Sequence, residues 1–528
     1  MTPVPPADLP GTLGALRAAG HRYRSVKQEL RDNLLAQMRS GAPRFPGIVG
    51  YDDTVLPEVE RALLAGHDMV LLGERGQGKT RLIRSLVSLL DEWTPVIPGS
   101  VLNEHPLHPV TPASRTLVAE SGDDLPIGWL HRSMRYGEKL ATPDTSVGDL
   151  IGDVDPIRLA QGRTLGDPET IHFGLVPRTN RGIFAVNELP DLAERIQVAM
   201  LNVLEERDIQ VRGYQLRLPL DLLLVASANP EDYTNRGRII TPLKDRFGAE
   251  VRTHYPTDLE RELELIRQEA DLVAEVPEHV LEVLARFARA VRESPSVDPR
   301  SGVSARFAVA AAETVAAAAL RRAGLLAATS AVPGASAVPG ASAVPAAPDA
   351  SAVPGASAVP GASAAPGEVL AGDPSSTADV NRGPFLALDA VARVGDAVSV
   401  TSTLRGKVEF ESGEEGREIE ILGHLLRTAT ADTFRARLAG LDLSGFTTLV
   451  EEGETVETGE LVSAAELLRQ VGTVPGLAKV LDRLGVGDAP SPGQAAAAVE
   501  FVLEGLHLSR RLGKDVTDSG RTRYGGRD

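Results

Sequence analysis

Three short runs of uninterrupted apolar residues punctuate the first half of the chain: MVLLG (69–73), IFAV (183–186) and LLLVA (222–226). Around them the apolar positions recur at helical spacing instead. Leu82, Ile83, Leu86, Val87 and Leu90 form one stripe and predict a helix over 80–93. Similar patterns predict helices at 55–65 and 191–206. Fully apolar strands alternating with amphipathic helices predict a parallel sheet covered on both faces. Upstream, Val26, Leu30, Leu34 and Leu35 share one side of a helix from Tyr23 to Met38, which Pro43, Pro46 and Gly47 interrupt. Residues 1–20, rich in Pro, Gly and Ala, predict little order. Beyond residue 380, VSVTSTLRGKVEFE (398–411) predicts β structure, with helices near 418–438, 464–484 and 494–511. The tail TDSGRTRYGGRD predicts disorder.

Composition breaks sharply at 328–366. SAVPGA stands at 330–335 and again at 336–341, and SAVPGASAVPGASAAPG at 351–367. Ala, Ser, Pro and Gly bury too little surface to offset chain entropy, so the tract predicts a disordered spacer with polyproline character. The chain therefore divides into a helix and flexible tail (1–43), an α/β core (44–255), a helical region (256–327), a spacer (328–380) and a mixed C-terminal region (381–528).

The bulk composition narrows the function classes. Hydrophobic residues make up 42% and charged residues 24%, a globular profile with room for several domains in 528 residues. Aromatics are 4% and the formal net charge is −17, which argues against direct nucleic-acid binding by stacking or by charge. The chain has no cysteine, which excludes disulfides and thiolate metal sites and fits a cytoplasmic setting. The start MTPVPPADLP carries no secretory signal. The most apolar stretch, 305–320, includes Arg306 and Glu313 and is too short to span a membrane.

The strongest chemical signal is GERGQGKT (73–80), which satisfies G-x-x-x-x-G-K-[ST] between a strand and a helix. Gly73, Gly76 and Gly78 let the backbone curl around phosphate, with Glu74, Arg75 and Gln77 between them. Lys79 is placed to neutralise β- and γ-phosphates and Thr80 to ligate Mg²⁺. An ATP-hydrolysing P-loop also needs a carboxylate at the end of a second strand. In GIFAVNELPDL (182–192) Glu188 fills that role as the base that polarises water. Its neighbour Asn187 stands where an acid would hold the metal's hydration shell, and offers no charge. LLLVASANPED (222–232) ends a third strand with Asn229, which could sit between γ-phosphate and water; by itself Asn-Pro is a turn signal. In TPLKDRFGAEV (241–251), Arg246 could enter a neighbour's site as a transition-state cation or form a surface salt bridge. Arg306, in SGVSARFAV, could reach the γ-phosphate or be a solvated helix-start arginine. His105 and His108 in NEHPLHPV lack a third ligand and read as an exposed loop.

These motifs, in this order, resemble the AAA+ ATPases over about 44–325, specifically the branch of the MoxR proteins and the magnesium-chelatase ATPase subunit. IVGYDD (48–53) resembles the segment beside adenine, which implies Ile48 and Val49 as nucleotide contacts. GERGQGKT resembles Walker A, NELPDL Walker B, ASANPED sensor 1, LKDRFG the arginine-finger box and VSAR sensor 2. Residues 145–182 resemble that branch's helix-2 insert, with Gly174, Leu175, Asn180, Arg181 and Gly182 in a G-L-x-x-x-x-N-R-G run. Residues 207–221, which alternate about Arg212-Gly213, resemble its pre-sensor-1 hairpin. The stretch 94–135 resembles no named part. The resemblance implies ATP and Mg²⁺ as ligands, a homo-oligomeric ring (a hexamer), a partner with a von Willebrand A domain, and a remodelling, metal-insertion or chaperone-like role.

Two other classes remain. A sigma-54-type activator ATPase would carry GAFTGA and a basic recognition helix, and neither occurs. Asn187 raises a non-hydrolysing scaffold, against which Glu188, Asn229 and Arg246 argue.

Overall fold

The structure, a computed structural model, describes residues 3–154, 171–206, 209–211, 214–216, 219–229, 238–298, 303–330, 390–451, 455–487, 489–517 and 521–526. The chain forms two compact units. One comprises Met1–Ala270, Ala288–Ala310 and Leu404–Glu418, and the other Asp271–Phe287, Ala311–Thr403 and Ile419–Asp528. The helical region expected at 256–327 is divided between the two. The expected spacer lies, from residue 331 on, outside the described residues.

In chain order the strands of the first unit are β1 (Met69–Leu72), β2 (Trp93–Val96), β3 (Gly128–His131), β4 (Tyr136–Leu140), β5 (Gly152–Val154), β6 (Ile171–Phe173), β7 (Gly182–Asn187), β8 (Ile209–Val211), β9 (Tyr214–Leu216), β10 (Leu222–Ala228) and β11 (Ala249–Arg252). Five of them make a sheet in the order β11-β1-β10-β7-β4, and every neighbouring pair is parallel. The late strand β10 is inserted between β1 and β7, with Leu72 opposite Ala228 and Ala226 opposite Val186. This is the expected α/β P-loop core with a parallel sheet.

β1, β7 and β10 are buried at every position, because alternate residues feed two separate cores. Met69, Leu71, Ile183, Ala185, Leu223 and Val225 pack on helices Val26–Ser40, Val55–Ala65 and Lys79–Ser85. Val70, Leu72, Phe184, Val186, Leu222 and Leu224 pack on helix Glu194–Glu206 and on Leu243. Each fully buried Leu or Val side chain contributes about 1.5–3 kcal/mol.

Several expectations change. The helix predicted over 80–93 stops at Ser85 and tightens into a 3-10 turn over Leu86–Leu89. The hydroxyls of Ser85 and Ser88 donate back to the carbonyls of Leu82 and Ser85, which bends the chain there. Residues 1–20 are not simply disordered: Leu13–Ala18 is a helix capped by Thr12, and Leu13 and Leu16 are buried with Leu125 and Ile127. The unassigned stretch 94–135 contains the β2–β3 pair and helix Pro112–Ser121. The insert at 145–182 contains helix Val147–Leu150 and the antiparallel pair β5–β6, with 155–170 outside the described residues. The hairpin expected at 207–221 is present, with Ile209 opposite Leu216; its turn at Arg212-Gly213 lies outside the described residues.

In the second unit, helix Pro492–Leu508 is buried almost all round, and a Cβ on Gly505 would lie 2.0 Å from Phe434. Helix Glu418–Leu438 is as expected, whereas the 464–484 helix breaks into Ala464–Val471 and Leu477–Arg483 around Gly472 and Gly476. Two expectations are overturned. In the β-prone run 398–411, Val398–Thr403 is a helix, because Ala397, Val400 and Thr401 bury one helical face. The tail is not wholly disordered. It supplies the middle strand of an antiparallel sheet, β12 (Val456–Gly459), β13 (Gly513–Val516) and β14 (Arg521–Gly525) in the order β12-β14-β13, with Tyr524 2% exposed.

Candidate active site

The P-loop Gly73–Thr80 joins the C-terminal end of β1 to the helix Lys79–Ser85. Its glycines are needed for two distinct reasons. Gly76 and Gly78 have φ of 75°, the left-handed region. Gly73 needs its missing side chain for close approach: a Cβ there would lie 1.9 Å from Thr253 Oγ1 and 2.2 Å from Gln77 Oε1. Lys79 is buried, and its Nζ donates to the carbonyls of Gly73 and Glu74.

Residues distant in sequence hold the loop in shape. Tyr51, in the IVGYDD segment, donates from its hydroxyl to the carbonyl of Gln77 and, at 3.0 Å, to that of His254. Burial pushes the Tyr51 phenol up to about 12, so it stays a donor. Thr253 Oγ1 donates to Gln77 Oε1 at 2.7 Å, and Tyr255 donates to the Arg75 carbonyl at 2.8 Å. The Tyr255 ring lies 4.8 Å from Arg292, whose guanidinium is paired with Glu262. Ile48 and Val49 are half-buried, and Ile48 packs against the core on the P-loop-helix side.

The acidic strand end lies beside the loop by topology. Gly73 N–H donates to the Ala228 carbonyl at 3.1 Å, so β10 runs beside the start of the P-loop and continues into Asn229, which is buried. Ser227 then joins β10 to β7: its hydroxyl donates to Asn187 Oδ1 and accepts from the Glu188 N–H, each at 3.2 Å. Glu188 is half-buried at φ 56°, a left-handed conformation that few non-glycine residues adopt. Thr80, Asn187 and Glu188 thus offer oxygen donors, the type a hard cation such as Mg²⁺ takes. At Gly78 a Cβ would meet nothing within 4 Å, so the loop backbone is open there, as a polyphosphate cradle requires.

The two arginines are placed differently. Arg306 is exposed at the start of helix Ala305–Ser330, two residues after Ser304, which abuts Gly76. Arg246 is exposed at the end of helix Thr241–Arg246, and Leu243 anchors that helix in the core on the opposite face of the sheet.

The N-R-G run is structural. Arg181 is almost wholly buried, donating to the Pro95 carbonyl at 2.8 Å and to Thr94 Oγ1 at 2.6 Å, and Asn180 donates to the Leu102 carbonyl at 2.8 Å. A Cβ on Gly182 would lie 2.0 Å from the Arg135 carbonyl oxygen. Burial, and then Arg135, lower Arg181 to about 10. His105 is not in an exposed loop as expected: it is buried, stacked on His21 and edge-on to Tyr23, and only His108 is exposed. Burial and then the charge of Arg181 hold its imidazole at about 2, a neutral packing group. Among the described residues no group of three or more His, Asp or Glu is arranged to hold a metal, and no helix is long and apolar enough to cross a membrane.

No protein-family model matches the chain. The chain is 30% identical over 241 residues to the 38 kDa magnesium-chelatase subunit of Rhodobacter capsulatus, covering 42% of this chain and 59% of that one. It is 29% identical over 251 residues to the chloroplastic magnesium-chelatase subunit ChlI of Nicotiana tabacum, covering 46% and 55%. The chain thus spans little more than half the length of these curated relatives. Among solved structures, a cryo-EM-based complex of magnesium-chelatase subunits BchI and BchD matches at 22% identity and TM-score 0.33, over 55% of this chain and 89% of that one. A RuvB variant from Thermotoga maritima matches at 13% and 0.31, over 52% and 66%. The sequence resemblance to the magnesium-chelatase subunits is borne out.

Proposed function

We propose that this chain, a homologue of the magnesium-chelatase ATPase subunits through its P-loop unit, binds and hydrolyses ATP and couples hydrolysis to remodelling or maturing a partner protein. One observation carries the reading. Insertion of β10 between β1 and β7 gathers Gly73–Thr80, Asn187, Glu188 and Asn229 at adjoining C-terminal strand ends.

In this reading the loop N–H groups and Lys79 bind the phosphates, Lys79 exchanging its carbonyl partners for phosphate oxygens. Thr80 ligates Mg²⁺, and Asn187 and Glu188 hold its water shell. When bound, the metal neutralises charge that develops on the β- and γ-phosphates. Glu188 accepts a proton from the attacking water, and Asn229 orients that water against the γ-phosphate. Arg246, on the far face of the sheet, acts on the nucleotide of a neighbouring subunit. Arg306 acts from the start of helix Ala305–Ser330. That division implies a homo-oligomeric ring of the MoxR and chelatase kind, a hexamer, working in the cytoplasm with a von Willebrand A partner. The client is a protein or a metal-insertion complex.

Mixing two inactive variants tests the assembly. Arg246→Ala and Glu188→Gln, each inactive alone, regain phosphate release together if sites are shared between subunits. Mixed assemblies that stay inactive at every ratio would place Arg246 outside the site.

A further inference from the structure

Asn187 ends β7 where a carboxylate is expected, and both ends of its amide are engaged. Nδ2 donates to Glu138 Oε1 at 2.6 Å, and Oδ1 accepts from Ser227 Oγ at 3.2 Å. Glu138 belongs to the neighbouring edge strand β4, where it pairs with Ala185, two residues before Asn187 and on the same face. Its carboxylate also accepts from Arg84 Nε at 2.9 Å, Arg84 Nη2 at 3.1 Å and the Tyr136 hydroxyl at 2.9 Å. Arg84 follows Thr80 by one helical turn, so one face of the P-loop helix carries both. Glu138 is therefore tied to the phosphate-loop helix and to the end of the acidic strand at once.

The chemistry of the pair fixes a direction. An ionised carboxylate only accepts hydrogen bonds, whereas an amide has one accepting and one donating end. Glu138 admits only the Nδ2 end of Asn187, so Oδ1 must face the other way, towards Ser227. That is the side of β10, whose other neighbour is the P-loop strand. A water held by a cation donates its protons outward and needs an acceptor, so the oxygen end is the useful one. An isolated asparagine could present either end.

We propose that Glu138 is a positioning residue for the magnesium site. It pins the Asn187 amide with its oxygen towards the metal's water shell. The inference rests on the ATPase reading above, and deepens it: the acid stands on β4 and the amide it orients on β7. A mere edge-strand salt bridge would account for Arg84 and Glu138, but not for the Asn187 contact.

Exchanging the two groups provides the test, using the full chain. In wild type, Glu138→Gln, Asn187→Asp and the double variant, calorimetry measures the Mg²⁺ concentration that half-saturates binding of a non-hydrolysable ATP analogue. Thermal melting without nucleotide is measured beside it. Glu138→Gln is expected to need about tenfold more Mg²⁺, the effect of one hydrogen bond to a charged group. Asn187→Asp alone places two carboxylates in contact and is expected to lower the melting temperature. The double variant restores one acid against one amide, and is expected to recover both the wild-type Mg²⁺ requirement and the melting temperature. An unchanged requirement in Glu138→Gln, or a double variant no better than the worse single one, overturns the proposal and leaves the ATPase reading intact. Should Glu138→Gln fail to fold, the double variant decides alone. Analogue binding by wild type that ignores Mg²⁺ at every concentration contradicts the ATPase reading, and this proposal with it.

Discussion

Ser304 meets Gly76 so closely that a Cβ on the glycine would lie 2.0 Å from the serine Cβ. The residue preceding helix Ala305–Ser330 is thus packed on the phosphate loop, two positions ahead of Arg306. Gly76→Ala must displace Ser304 and also adopt φ 75°, which costs about 1–2 kcal/mol for an L-residue. Gly78→Ala faces the same φ but meets nothing within 4 Å. Nucleotide titration is expected to show a larger loss of ATP affinity for Gly76→Ala than for Gly78→Ala. Equal losses would mean that the Ser304 contact does not matter.

Tyr51 clamps the loop through one hydroxyl shared by two carbonyls. Tyr51→Phe is expected to cost about 1–3 kcal/mol in stability, because buried carbonyls lose their donor. The pH dependence has a definite sign. A phenol raised to about 12 in the fold, from 10.0, contributes stability that is present below pH 10 and is lost as pH rises through 12. Denaturant melts should therefore show the gap between wild type and Tyr51→Phe narrowing from pH 10 to 12. A gap that widens there would contradict the assignment.

Glu29 and Arg135 form a buried bidentate pair at 2.6 and 2.7 Å, and Arg135 Nε also donates to the Arg181 carbonyl at 2.7 Å. Glu29→Ala strands a buried cation and is expected to cost about 3–5 kcal/mol. The double variant Glu29→Leu with Arg135→Met removes both charges, and is expected to lose less than the two single losses added together. Additive losses in chemical denaturation would argue against a coupled pair.

Tyr524 anchors the tail in the second unit, with its hydroxyl bonded to Glu504 and its strand between β12 and β13. Tyr524→Ala is expected to cost about 3–5 kcal/mol, as other buried aromatic truncations do. An unchanged melting temperature on removing residues 518–528 would show that β14 contributes nothing.

The sequence made β1, β7 and β10 legible because central parallel strands are apolar throughout. It hid β4, an edge strand whose YGEKL reads as polar, and with it Glu138. The order of Lys79, Glu188 and Asn229 was readable because each follows a strand. Tyr51, Thr253, Tyr255 and Ser304 were not, since only tertiary closure brings them to the loop. Within IVGYDD and VSAR, Tyr51 and Ser304 touch the phosphate loop. Strand β14 escaped notice because its one buried apolar side chain, Tyr524, sits among arginines and glycines. The β-branched run at 398–403 favoured a strand, and burial of Ala397, Val400 and Thr401 on one face made a helix instead.

Phosphate release by Glu188→Gln under saturating Mg²⁺ and ATP, set against its ATP affinity, tests the central claim most directly. In the proposed reading Glu188 acts on water and Lys79 on phosphate, so the variant is expected to bind ATP as wild type does. Its turnover should fall by at least about 10²-fold, the usual contribution of a general base. Turnover equal to that of wild type, or a wild type that binds ATP and releases no phosphate, would contradict the account.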